Sequence, residues 1–317
     1  MDFSSAFNTL QPHILLQKLI KISINPFILK WYFSFLTNRT QHVRVNNALS
    51  EPRTISTGAP QGCVSSPVLF TLYTNDCTRI HPENYIIKFS DDTAILGLMH
   101  KGSSSSAYHS EIERFVQWCD FNHLVLNVKK TEEMVWDPKA VGDLRPVVIH
   151  NEPITQVSSY KYLGVHLDNT LSWKAHVQGL CSRLQQRLYF LCRLRAFGVD
   201  QKFMLLFYHA VLESIMRYGI TAWYGNLTVQ SKSQIARLVQ TAMKIMGVKK
   251  HPSLQNIYEQ SIIRQAKKMV SDPTHILHPE FQLLPSGRRF RVPRSRLNRY
   301  KHSFLPMSIK LLNIHMK

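Results

Sequence analysis

The chain has 317 residues, with 39 Lys plus Arg against 20 Asp plus Glu, for a formal charge of +19. This length allows one large domain or two to three small ones, and 44% hydrophobic with 10% aromatic residues excludes a wholly disordered protein. The charge surplus calls for a polyanionic partner, since each Lys or Arg set against a phosphate releases condensed counterions; an anionic membrane surface is the competing partner.

In chain order, Leu15, Leu19 and Ile22 repeat at helical spacing, and Pro26 starts a second helix through Trp31 and Phe35. Val43, Val45 and Ile55 alternate about Asn46-Asn47, a β-hairpin pattern. Gly58 to Gly62 reads as a loop, and Val64 to Tyr73 as an apolar helix. Tyr85 to Leu96 reads as two short strands joined by a tight turn at Asp91-Asp92. A Gly/Ser linker, Gly102 to Ser106, leads into an amphipathic helix from 107 to 122 with Ile112, Phe115, Val116 and Cys119 on one face. Short strands follow at Val125 to Val128, Glu132 to Trp136, Val147 to Ile149, Ile154 to Val157 and Tyr160 to Val165. Helices mixed with an antiparallel sheet make this an α+β unit.

After Trp173 the pattern turns helical. Leu180, Leu184, Leu188 and Leu191 form one stripe, flanked by Arg183, Arg187, Arg193 and Arg195; Ile235, Leu238, Val239, Ala242, Met243 and Met246 form another. Beyond Glu280 no acid occurs, and Arg288, Arg289, Arg291, Arg294, Arg296, Arg299 and Lys301 are interleaved with Phe290, Tyr300 and Phe304. Such interleaving fits a strand of nucleic acid, with phosphates on the cations and bases on the rings. The five cysteines have no C-x-x-C spacing, which excludes a zinc-finger or disulfide framework. No signal peptide or membrane-spanning run is visible, so a nuclear or cytoplasmic protein that neither spans a membrane nor is secreted is expected.

The sharpest chemical feature is Phe89-Ser90-Asp91-Asp92 between two apolar strands. Adjacent carboxylates repel each other, a penalty that a divalent cation reverses. Asp2, in Asp2-Phe3-Ser4-Ser5-Ala6-Phe7, is a third carboxylate in an apolar context. Taken singly, the first reads more simply as a solvated turn and the second as a helix N-cap. Together they are the set that two-metal phosphoryl transfer requires, with metals about 4 Å apart.

These segments resemble the motifs of reverse transcriptases of the non-LTR (LINE-type) retrotransposons. Asp2 to Thr9 resembles motif A, Gly58-Ala59-Pro60-Gln61-Gly62-Cys63-Val64-Ser65-Ser66-Pro67 motif B, and Phe89 to Asp92 motif C, where Ala commonly stands at the Ser90 position. Leu126-Asn127 with Lys130-Thr131 resembles motif D, and Tyr162-Leu163-Gly164-Val165 the strand turn that follows. The order is the family's, and the resemblance runs on to Ser286-Gly287-Arg288-Arg289.

The resemblance implies an RNA-directed DNA polymerase that uses an RNA template, a DNA primer and deoxynucleoside triphosphates. Asp2, Asp91 and Asp92 would ligate two Mg²⁺ ions, with Mn²⁺ as the substitute. Phe7 would exclude a 2′-hydroxyl, Gln61 with the Gly58 and Gly62 backbone would hold the nucleotide and template base, and Lys130 would protonate the leaving pyrophosphate. Tyr162 and Leu163 would position the primer end. Arg183, Arg187, Arg288, Arg289 and Arg291 would contact phosphates. The expected layout is a palm over 1–168, a helical thumb over 169–250 and a basic tail over 251–317.

The family's fingers region is missing ahead of Asp2, which implies impaired synthesis or a second chain that supplies fingers, and a poorly anchored Asp2. A catalytically inert, nucleic-acid-binding remnant is the alternative. A remote one comes from Arg187 to Arg195, similar to a helical segment at the N-terminus of an AlkB-homologue tRNA-modifying protein. That protein carries iron/2-oxoglutarate dioxygenase or tRNA-methyltransferase labels, and His166-Leu167-Asp168 would be its His-x-Asp. A facial triad needs a distal His on a β-rich barrel, whereas the sequence after Asp168 reads as helices.

Overall fold

Prolines fix where the first helices begin, because a missing N–H costs nothing in a first turn. After the single turn α1 (Ala6–Thr9), Pro12 opens α2 (Pro12–Lys21) and Pro26 opens α3 (Pro26–Leu36). Asn25 caps α3 by accepting the Phe27 N–H at 2.9 Å. The computed structural model describes residues 1–98, 105–136, 145–249 and 251–315; residues 102–104 of the Gly/Ser linker lie outside the described residues. The chain divides into two units, Met1–Ser158 and Ser159–Lys317.

In the first unit β1 (Arg39–Gln41) pairs with β4 (Arg53–Ile55), and inside that loop β2 (Arg44–Val45) pairs with β3 (Ala48–Leu49) across a turn at Asn46, whose φ is +54°. The hairpin expected at Asn46-Asn47 is thus two nested ladders. Helix α4 (Ser66–Tyr73) follows, then β5 (Asn84–Phe89) and β6 (Asp92–Gly97), antiparallel in the register Phe89↔Asp92 to Asn84↔Gly97. Helix α5 (Ser106–Phe121) buries Ile112, Phe115 and Cys119. Its Glu111, fully buried, accepts the N–H groups of Ile80 and His81 at 3.0 Å each, which satisfies both the carboxylate and the loop.

The remaining strands depart from the expected single antiparallel sheet. Every ladder among the described residues is two-stranded, and β10 (Thr155–Gln156) runs parallel to β7 (Glu132–Glu133). Between them in sequence lies the antiparallel hairpin of β8 (Val148–Ile149) and β9 (Glu152–Pro153). Val125 to Val128, expected as a strand, makes one bridge (Leu126 with Phe3) before a 3₁₀ turn at Val128–Lys130. The core is built from Leu15, Leu19, Leu69, Phe70, Tyr73, Phe115 and their neighbours.

The second unit opens with the hairpin β11 (Ser159–Tyr162) and β12 (Val165–Asp168). This hairpin packs with the helices: Val165 and Leu167 lie against the helical core, and the Tyr218 hydroxyl donates to the Leu163 carbonyl at 2.6 Å. Helix α6 (Lys174–Ala196) buries the leucine stripe at 180, 184, 188 and 191, as its spacing predicts. Helix α7 (Gln201–Phe207) passes into a π-helical turn, Tyr208–Glu213, and then α8 (Ser214–Arg217). Then come α9 (Ile220–Trp223), α10 (Val229–Met246) and α11 (Leu254–Ser271). Last are α12 (Asn298–Lys301) and α13 (Phe304–His315).

The expected basic tail is folded. Phe281 and Phe290 bury themselves with Ala266 of α11 and Ile309 and Leu312 of α13 in a small second core. Of the tail's aromatics Phe290 joins this packing, Phe304 lies against the main helical core and Tyr300 is exposed, as are Arg288, Arg289 and Arg291. No helix among the described residues is long and apolar enough to cross a membrane.

Candidate functional site

The β5–β6 turn is the narrowest kind, two residues between Phe89 and Asp92, and Ser90 takes φ +55° to close it. Asp91 is half-buried at this turn and Asp92 exposed at the start of β6. Burial pushes the Asp92 carboxyl above its ordinary range, and the like charges of Asp91 and then Asp2 push it further. The three carboxylates expected as a set therefore share one field. They are not drawn into a tight cluster, since their oxygens do not all lie within 4.8 Å of one another.

Asp2 was expected to be poorly anchored, and the structure corrects this. On one side Met1 exchanges hydrogen bonds with Thr93 of β6, at 2.9 and 3.4 Å. On the other, the Asn127 N–H donates to the Asp2 carbonyl at 2.9 Å and the Ser4 N–H to Val125 at 2.8 Å. The Asp2 N–H itself donates to Thr131 Oγ1 at 3.3 Å. Residues 1–4 thus fill the gap between the β6 edge and the 125–127 segment, and Phe3 locks them by packing on Phe70 and Phe115, ring centroids 6.4 and 6.3 Å away.

Motif A and the Gly58 loop are stitched together. The Gly58 N–H donates to Leu10 at 2.6 Å and the Ala59 N–H to Phe7 at 2.8 Å. Gly58 has φ +78°, and a Cβ there would lie 3.0 Å from the Asn8 and Phe7 backbone, so only glycine fits. Gln61 donates to Asn8 Oδ1 at 3.0 Å. Gly62, φ +77°, faces open space, so its need is conformational rather than steric. Phe7 is half-buried with its ring 5.1 Å from that of Phe70. Lys130 is exposed on the 3₁₀ turn, whose N-cap is Asn127, bonded through Oδ1 to the Lys130 N–H at 3.2 Å.

Three positioning residues escape sequence reasoning. Thr131, 1% exposed, donates its hydroxyl to the Asn127 carbonyl at 2.9 Å while accepting from Asp2. Arg39 of β1 holds the Thr57 and Gly58 carbonyls at 2.6 Å each. Asn8 carries Gln61.

In the second unit, Leu163 (φ +45°) and Gly164 (φ +81°) form the β11–β12 turn. A left-handed leucine is an outlier that its surroundings must hold. Arg183 is exposed on α6, whereas Arg187 is half-buried and gives one amino group to the Val211 carbonyl on the π turn. Arg288, Arg289 and Arg291 are exposed on a hairpin-like return in which Leu283 bridges Phe290. His166 pairs with Lys161 in the β11–β12 ladder. Asp168 accepts the N–H groups of Thr170, Ser172 and Trp173 at 3.0 to 3.1 Å, so it is a turn and helix-start residue and no His-x-Asp iron ligand set forms around it.

The family model described as reverse transcriptase (RNA-dependent DNA polymerase) matches residues 1–167. A second, described as alkylated DNA repair protein alkB homolog 8, N-terminal, matches residues 173–214, a helical stretch that includes neither His166 nor Asp168. The probable RNA-directed DNA polymerase from transposon X-element of Drosophila melanogaster is 27% identical over 232 residues, covering 70% of this chain and 25% of its own. That from transposon BS of the same species is 25% identical over 291 residues, covering 84% of this chain and 32% of its own. The RNA-directed DNA polymerase of its mobile element jockey is 28% identical over 155 residues, 46% of this chain and 17% of its own. The chain thus spans a third or less of the length of these relatives. A telomerase chain from Candida albicans aligns over 89% of this chain and 50% of its own at 14% identity, with a TM-score of 0.39, a likeness too distant to assign a fold.

Proposed function

Because the chain belongs to the reverse transcriptase family, of the non-LTR retrotransposon kind, we propose that its first unit is the nucleotidyl-transfer part of an RNA-directed DNA polymerase. The observation that carries this reading is the adjacency of Asp2 to β6, which sets a third carboxylate beside the Asp91–Asp92 turn.

The donor set is all carboxylate oxygen, which suits a hard cation such as Mg²⁺, and like charges already raise Asp92, which is what an ion there would relieve. Asp2 and Asp91 are the proposed principal ligands and Asp92 the supporting one. Bound there, a pair of such ions would join the primer hydroxyl to the incoming α-phosphate and stabilise charge on the leaving pyrophosphate. The chain's own groups do the rest. Phe7, braced on Phe70, bars a 2′-hydroxyl from the sugar position. Gln61, held by Asn8, meets the nucleotide and template base, and the bare Gly58 and Gly62 backbone lets them approach. Lys130 is the proton donor to the leaving group.

In the second unit Tyr162 and Leu163 present the primer end. Arg183 and the outward Arg288, Arg289 and Arg291 contact template and primer phosphates. Arg187 is a further phosphate contact, while one of its amino groups supports the π turn.

Primer extension on an RNA template with Mg²⁺ and deoxynucleoside triphosphates tests this. Extension by the wild type and a loss of more than a thousandfold in Asp91→Ala/Asp92→Ala is the expected result. Salt-sensitive binding of the template–primer, with no extension and no response to the aspartates, would mean an inert nucleic-acid-binding remnant.

A further inference from the structure

We infer that His209, Glu213 and His251 form a binding site for one divalent transition-metal ion of the Zn²⁺ class in the helical second unit. Their nearest ligand atoms all lie within 4.8 Å of one another, and among the described residues no other group of three such side chains does so. His209 and Glu213 lie on the π-helical turn, with His209 Nδ1 at 2.5 Å from Glu213 Oε2. His251 enters from the segment ahead of α11, its Nε2 at 3.5 Å from the same oxygen.

The placement of His251 is the decisive observation. Its Nδ1 lies 2.8 Å from the Pro252 carbonyl, which can only accept, so Nδ1 donates there and Nε2 is the nitrogen turned to Glu213. That side chain is 8% exposed, and its Nε2 is buried with no hydrogen-bond partner. A buried ring nitrogen with no hydrogen-bond partner and a carboxylate oxygen therefore face each other across 3.5 Å, a gap that an ion between them would bridge. A backbone carbonyl bonded to the far nitrogen is also the usual support of a metal-binding histidine.

The rest of the shell agrees. Glu213 is 3% exposed, and both Arg217 and His209 bond to its carboxylate. Arg217 occupies Oε1, which leaves Oε2 as a single-oxygen ligand. Donors of a tetrahedral site with bonds of ~2.0 Å stand about 3.3 Å apart. The His251–Glu213 spacing fits, and His209, 53% exposed, is free to swing out by about 1 Å. Two imidazoles and one carboxylate select Zn²⁺-like ions, whereas the all-carboxylate set of the first unit selects Mg²⁺. Short π-helical turns recur where a helix is bent to a functional task; here the ion would pin the turn to the segment that starts α11.

The full chain, stripped with a chelator, is titrated calorimetrically with Zn²⁺ and spectroscopically with Co²⁺, whose visible bands report a tetrahedral N/O shell. One equivalent is expected, weakened more than tenfold in His209→Gln and about a hundredfold in His251→Gln, yet unchanged within twofold in Asp91→Ala/Asp92→Ala. Zn²⁺ should also raise the thermal midpoint of the wild type but not of His209→Gln. Because His209 is half-exposed, that variant folds even if His251→Gln does not. Absence of stoichiometric binding, binding that survives His209→Gln, or binding that follows the aspartates would each overturn the assignment.

Discussion

The backbone N–H of Asp2 is held by the side-chain oxygen of Thr131, 129 positions away in sequence, at 3.3 Å. Thr131 is in turn held to Asn127, whose own N–H binds the Asp2 carbonyl. If Asp2 ligates a metal as proposed, a carboxylate needing placement within about 0.5 Å is thus fixed through its main chain by a buried hydroxyl. Thr131→Val keeps the shape and removes both bonds. We expect primer extension to lose at least tenfold in kcat with KM for nucleotide changed less than twofold, Thr131→Ser to restore most of it, and stability to fall by about 1 kcal/mol. Equal losses in kcat and binding would mean that Thr131 acts only on folding.

Gly58 offers a sharper test of how the motif A turn and the loop depend on each other. Alanine there meets both a left-handed φ of +78° and backbone atoms at 3.0 Å. Its cost is therefore expected to reach about 2 kcal/mol or more, read from the urea midpoint. At Gly62, where nothing lies within 4 Å, the same substitution meets only the φ penalty, roughly 1 kcal/mol. Equal costs at the two sites would show that the loop moves away from Asn8 without loss.

How legible all this was depends on the range of the interaction. The helix start at Pro26, the leucine stripe of α6 and the Asp91–Asp92 hairpin follow from local spacing, and the structure contains them. The parallel β7–β10 pair and the Asp2–Thr131 bond join segments whose sequences say nothing of each other. The folding of the basic tail was not legible, because the inward packing of Phe281 and Phe290 on α11 and α13 joins segments distant in sequence. His251 gave no signal beside His209 and Glu213, since a ligand arriving from a distant loop has no spacing to betray it.

His176 should make the second unit sensitive to mild acid. It is 3% exposed, and burial, then the Arg183 and His166 charges, bring its pKa down to about 4 from 6.5. Between these values the unfolded chain binds the proton and the folded one does not, so stability rises with pH. The contribution is full above pH 6.5 and is lost as pH falls from there to 4, amounting to up to about 3 kcal/mol. Urea midpoints at pH 7 and 4.5 should differ by more in the wild type than in His176→Gln. Parallel pH profiles would mean that the imidazole finds water or a new partner when charged.

Leu163 separates stability from function. Its φ of +45° is strained for leucine, and the Tyr218 hydroxyl bond to its carbonyl helps to hold it there. Leu163→Gly should relieve the turn, raising stability by roughly 1 kcal/mol. If the side chain meets the primer end, the same variant should bind template–primer several-fold more weakly despite its greater stability. A gain in stability with unchanged binding would leave Leu163 as a turn residue alone.

The outward arginines beyond Glu280 make the last case, because counterion release turns a contact into a slope. If Arg288, Arg289 and Arg291 each neutralise a phosphate, replacing all three by alanine should lower the slope of log K against log salt by about 2 to 3 for a template–primer duplex. The loss of affinity should be the same for unrelated sequences, since phosphate contacts carry no base information. These side chains are exposed, so the fold should remain within about 0.5 kcal/mol of the wild type. A slope unchanged within error, with the fold intact, would move the phosphate contacts elsewhere, with Arg183 on α6 the next to replace.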